Sequence, residues 1–168
     1  MGYVHDTHMS QYIPPTAMHC VTGTWTQTAG AVAGTIAKHK AANAETTVIN
    51  IPIMLPSNSV ALKGAKLASV EIDYEIGAQA ATSVTATMNK ITRGADGADA
   101  TVSAVTVTQD LTAGTDAADV DEHKLTVTVT TPTWLDNDDY LLLVISAVCA
   151  AGTTIDLLGA VANFTLRL

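Results

Sequence analysis

The stretch 67-LASVEIDYEIG-77 decides the class of fold. From Val70 to Ile76 it alternates without a break: Val70, Ile72, Tyr74 and Ile76 fall on one side, Glu71, Asp73 and Glu75 on the other. A helix would scatter the two sets around its circumference, whereas a strand separates them at a period of two. One dry face and one wet face describe a strand of an antiparallel sheet lying on a core.

The same reading extends outward in both directions. Alternation returns at 82-TSVTATMNKIT-92, 101-TVSAVTVTQDL-111 and 123-HKLTVTVTTPTWL-135. The intervening 93-RGADGADA-100 and 112-TAGTDAADVDE-122 are rich in the Gly and Asp that turns require. Upstream, 20-CVTGTWTQT-28 alternates, and 46-TTVINIPIML-55 reads as a strand whose Pro52 suits an edge or a bulge. Downstream lie 140-YLLLVISAV-148 and 153-TTIDLLGAVANFTLRL-168. The unbroken apolar run of the first predicts a central strand buried on both faces. The segment 29-AGAVAGTIAKHKAANAE-45 is read as an irregular loop or edge strand. Its alanines would support a short helix over 35–42, but Gly30 and Gly34 weigh against one. About eight strands result, at roughly the 8–12-residue spacing of sandwiches. The expectation is an all-β protein, an antiparallel β-sandwich of jelly-roll type.

Residues 1–18 stand apart from the sandwich expected over 19–168. They have no period, and Pro14-Pro15 imposes an extended path. Tyr3, Tyr12 and Ile13 make the segment too apolar for a solvated tail. It is read as an arm that docks on a partner through Tyr3, Tyr12, Ile13, Pro14 and Pro15.

Composition narrows the function. The 168 residues are 48% hydrophobic but 14% charged and 4% aromatic, so Ala, Val, Leu, Ile and Thr carry the fold. A net charge of −8 disfavours nucleic acid, whose phosphates need clustered Lys and Arg, and disfavours an anionic membrane surface. The longest apolar run, Tyr140 to Ala151, is shorter than the ~20 residues of a spanning helix. Seven aromatic residues are too few for the girdles of a membrane barrel. The N-terminus lacks the basic and apolar regions of a signal peptide, so a soluble, non-exported chain is expected. Cys20 and Cys149 are read as small hydrophobes.

Candidate chemistry is sparse. In 133-TWLDNDDYLLLVI-145, Asp136, Asp138 and Asp139 offer oxygen ligands to calcium. The spacing of a calcium-binding loop is missing, and Asx residues between two strands initiate turns, so a turn is expected first and a cation site second. Glu71, Asp73 and Glu75 share one solvated face, unlike the two differently tuned carboxylates of a glycosidase. His5, His8 and His19 match no zinc spacing. His39 and His123 read as surface residues. No serine has the context of a nucleophile. No enzymatic activity, cofactor or metal is expected, with calcium at Asp136, Asp138 and Asp139 the lesser alternative.

The segments 51-IPIMLPSNSVALKGAKLASVEIDYEIGAQAATSVTATMNKI-91 and 119-DVDEHKLTVTVTTPTWLDNDDYLLLVISAV-148, with the closing ANFTLRL, resemble small β-sandwich virion proteins of tailed bacteriophages. The resemblance lies in Ala/Thr/Val strands and in the "GAKL…VEIDYEI" pattern. It implies a structural virion role, such as a capsid decoration protein, a head or tail surface protein or a small capsid subunit, assembled in the host cytoplasm. The implied partners are the major capsid protein or another virion protein, and further copies of the chain in a homo-oligomer, a trimer by virtue of the three-fold positions of virion lattices. The rival class is a carbohydrate- or receptor-binding sandwich.

Overall fold

The computed structural model describes residues 5–30, 34–56, 64–114 and 116–167. These form twelve strands, two 3₁₀ turns and no α-helix. The strands make two sheets in which every neighbour is antiparallel. The first sheet runs β3 (Trp25–Ala29), β4 (Ile36–Lys40), β12 (Thr154–Arg167), β6 (Gly64–Gly77), β10 (Asp121–Val129), β9 (Val107–Ala113). Its seventh strand, β1 (Asp6–Ile13), lies on the same edge of β12 as β4. The second sheet runs β2 (His19–Thr22), β5 (Thr46–Ile53), β11 (Asp139–Val148), β7 (Ser83–Thr92), β8 (Thr101–Val105).

The two inner faces share one core. Val70, Ile72, Leu125, Val127 and Leu157 of the first sheet meet Ile49, Ile51, Leu141, Leu143 and Ile145 of the second. The period-two pattern supplies this directly, since β5 alternates buried and half-buried residues from Thr47 to Ile53. The protein is therefore an antiparallel β-sandwich.

Four strands exceed the eight expected, each for a local reason. Gly23 has φ +99°, a left-handed conformation that breaks 20–28 into β2 and β3 and carries the chain from one sheet to the other. At Thr106 the segment 101–111 likewise changes sheets, giving β8 and β9. Residues 36–40, read as a loop or a short helix, are strand β4, held by β3 on one side and β12 on the other. Residues 6–13 are strand β1. The pairing energy of an available sheet edge overrides the helix propensity of the alanines in 35–42.

Two strand positions can be compared directly. β11 is central, between β5 and β7, as its apolar run predicted, but only one of its faces is buried, not both. β5, whose Pro52 suggested an edge or a bulge, is interior. Its partner β2 reaches only Val48 to Asn50, and Pro52 lies beyond it, where that edge has no described neighbour and a residue without an N–H is tolerated. A comparable gap in β7 is filled by a side chain. The Gln109 amide accepts from the Ala86 N–H and donates to the Ala86 carbonyl, both at 3.0 Å, replacing the ladder that β8 does not extend that far.

Candidate functional site

The N-terminal strand is the first candidate. β1 pairs with the chain's own β12 from Asp6 opposite Arg167 to Ile13 opposite Ala160. Seven of its eight residues are exposed, so backbone bonds and a few side-chain locks hold it. Asp6 accepts two bonds from Arg167, at 2.7 and 2.9 Å, and this guanidinium holds the Asp6 carboxyl below the usual carboxylate range. Arg167 also stacks over the Trp134 ring at 4.3 Å, beside Lys66 at 4.9 Å. Ser10 donates to Asn163 at 2.6 Å. Tyr12 donates to the Leu158 carbonyl at 3.1 Å and lays its ring on Gly159, where a Cβ would come within 2.8 Å of a ring carbon.

After β1 the chain turns through Pro14 and the 3₁₀ turn Pro15–Ala17 into the second sheet. Ile13, Pro15 and Met18 are buried. Residues 6–13 therefore belong to the first sheet, and no free arm ends at residue 18. The partner that β1 contacts here is its own chain. Tyr3 lies outside the described residues.

The acidic stretch before β11 is a turn. The Asp139 N–H donates to the Asp136 carbonyl at 3.0 Å, and the Asp136 N–H returns a bond to the Asp139 carboxylate at 3.2 Å. That carboxylate also accepts from Thr92 and from Lys90, the latter at 3.2 Å, with 3% of its side chain exposed. Burial alone would raise the Asp139 pKa, but the bonds from Thr92, the Asp136 N–H and Lys90 outweigh it and hold the group below its ordinary value. Asp138 faces Arg93 at 3.9 Å, with its side chain half exposed. Both Asp139 oxygens are thus engaged, and no group of metal-binding side chains converges among the described residues.

The acids of β6 lie on the outer face of the first sheet. Glu71 pairs with Lys124 at 3.1 Å and accepts from Asn163 at 3.0 Å, and these bonds lower its pKa, the one to Lys124 most. Glu75 stands between Glu122 of β10 and Asp156 of β12, and Asp156 bonds His39 at 2.7 Å. An open groove of about 490 Å³ runs from Tyr12, Pro14 and Ile36 past Leu158 to Glu75 and Glu122.

Both histidines read as surface residues are placed differently. His39 is half-buried against Asp156. His123 is buried, stacked near Tyr74 with ring centroids 4.9 Å apart, its Nε2 2.9 Å from the Asp119 carbonyl and its Nδ1 without a partner among the described residues. It sits at an inward position of β10, and its place in the period-two pattern, paired with Tyr74, was the signal for that burial. Cys149 is buried and Cys20 half-buried, both as free thiols whose pKa burial raises.

Sequence reasoning missed one group altogether. The Lys40 side chain is fully buried at one end of the sandwich, where it donates to the carbonyls of Asn43 at 2.6 Å and Thr153 at 3.1 Å and approaches Glu45 at 3.8 Å. It ties the β4–β5 turn to the β11–β12 turn. The inward register of Lys40 opposite Ile155 becomes visible only once β4 is known to be a strand. No protein-family model matches the chain, and neither does any curated protein.

Proposed function

We propose that this protein is a structural subunit of a virion, a capsid-associated or small capsid protein that assembles with further copies and with a larger particle. The observation that carries the reading is β1, a strand exposed at seven of eight positions with no described strand on its outer edge. No Pro, Lys or bulge guards residues 6–13, the devices by which a soluble monomer blunts such an edge. The connectivity is in keeping with this. Strands β4, β12, β6 and β10 neighbour one another in one sheet and β5, β11, β7 and β8 in the other, an order that supports a jelly-roll reading, a fold that capsid and lectin domains share. Mass spectrometry of purified particles, with labelled antibody to place the protein, tests the role. Enrichment with the particles is expected, and exclusive recovery in the soluble fraction would overturn it. A second reading, a carbohydrate- or receptor-binding module, is favoured by the groove, where an exposed Tyr12 faces the carboxylates of Glu75 and Glu122.

A further inference from the structure

The two outer faces of the sandwich differ in kind. The first sheet turns Glu71, Asp73, Glu75, Glu122 and Asp156, with Lys66 and Lys124, outward from its three central strands. The second sheet turns no Asp, Glu, Lys or Arg outward from any strand, and its one ionisable cation-former, His19, stands on the edge strand β2. On β11 the outward residues are Tyr140, Leu142, Val144, Ser146 and Val148. Tyr140 continues in register through Ile91 of β7, which is buried, to Val102 of β8, which is 64% exposed. Thr and Asn of β5 and β7 flank this band. The described strands form only the two sheets, so no third layer of strands lies over this band.

A strand apolar at every position is the signature of burial on both faces. In β11 only the inward set, Leu141, Leu143, Ile145 and Ala147, is buried, while Tyr140 and Val148 are 38% and 39% exposed. The sequence is written for a cover that one chain does not provide.

We infer that the outer face of the second sheet is a self-association surface, and that its occupant is the same face of a second copy, packed sheet on sheet about a two-fold axis. Two arguments select a second copy. A chain of net charge −8 opposes its own approach, and this is the face on which no like charges meet. The area is also of the right order. With about 3.3 Å per residue and about 4.8 Å per strand, the five strands present roughly 600 Å² in projection. A stable interface takes about 800 Å² from each partner. An isologous pairing sets β11 across its symmetry mate, with Leu142 and Val144 at the dry centre and hydroxyl and amide groups at the rim. The contact is independent of the virion reading and leaves the edges, including β1, open to other neighbours.

Sedimentation velocity on the purified full chain across the micromolar range tests it. The expected result is an even-numbered species, whose mass halves in Val144→Lys and in Thr87→Lys with the dissociation constant raised at least about tenfold. Thr87 is exposed, so that variant introduces charge without touching the core. Thr126→Lys, on the opposite face, should leave the mass unchanged. A wild-type monomer throughout the range overturns the inference, as does an oligomer whose mass survives both lysines in variants with wild-type circular dichroism.

Discussion

Replacing Lys40 by Met is the sharpest test of how the open end of the sandwich is held together. The ammonium has no exposed surface, and its partners are two carbonyls and, at 3.8 Å, the Glu45 carboxylate, whose side chain is 20% exposed. Removing one member of a buried ion pair costs about 3–5 kcal/mol, because the remaining charge and acceptors stay desolvated. Glu45 keeps a bond from the Thr24 N–H at 2.9 Å and some contact with water, which places K40M near the lower end, about 3 kcal/mol. For a domain of this size that is a fall of about 6–12 °C in Tm. Adding Glu45→Gln removes the orphaned charge and should restore part of the loss, leaving about 1–2 kcal/mol for the two carbonyls without a donor. Urea unfolding followed by circular dichroism measures all three differences. A single variant within about 1 kcal/mol of wild type, or a double variant less stable than K40M, would refute the reasoning.

Other expectations are read in the same assays. Asp138→Asn should change Tm little, with or without chelator, and a calcium-dependent rise lost in that variant would restore the cation site. Asp139→Asn should destabilise by about 1–3 kcal/mol, because it removes the charge that Thr92, Lys90 and the Asp136 N–H serve. Since the folded pKa of Asp139 is lowered, its contribution is present above the unfolded value of about 3.9 and lost as pH falls through the folded one. The gap between wild type and Asp139→Asn should therefore be widest above about pH 5 and close in acid. Deleting residues 2–12 should leave a folded sandwich that assembles poorly, because Ile13 and Pro15 remain in the core. Loss of cooperative unfolding would show that β1 is needed for folding itself. Native thiol labelling should modify Cys20 before Cys149, and equal rates would contradict the burial of Cys149.

How far the fold was legible depends on how each segment signals. Strands with one wet face, such as β6, announce themselves because the charges of Glu71, Asp73 and Glu75 mark the outward positions. Gln109, in contrast, looks like an ordinary strand residue, and its role in capping the open edge of β7 follows from a topology that no local pattern encodes. β4 was obscured because IAKHK carries lysines at inward positions, one of them the fully buried Lys40. A buried ion breaks the binary pattern on which the reading rests. β1 escaped for a different reason. With both faces exposed it has no alternation to show, and a free sheet edge alone makes it a strand. The DNDD turn was legible from residue type, while the inward aim of Asp139 toward Thr92 and Lys90 was not.

The contrast between β6 and β11 carries the functional argument further than any side-chain cluster does. Both are central strands of their sheets and both bury one face in the same core. In β6 the outward residues are charged and satisfied by solvent, Lys124 and Asn163, so the strand is complete within the single chain. In β11 the outward residues are Tyr140, Leu142, Val144, Ser146 and Val148, a choice that costs solubility and gains nothing in the isolated sandwich. A sheet face that holds out charge from all its strands is arranged for contact with a surface equally free of charge. Within this molecule the matching surface is the same face on another copy, and if Val144→Lys and Thr87→Lys leave the oligomer intact, the apolar run of 140–148 has to be explained by burial during folding alone.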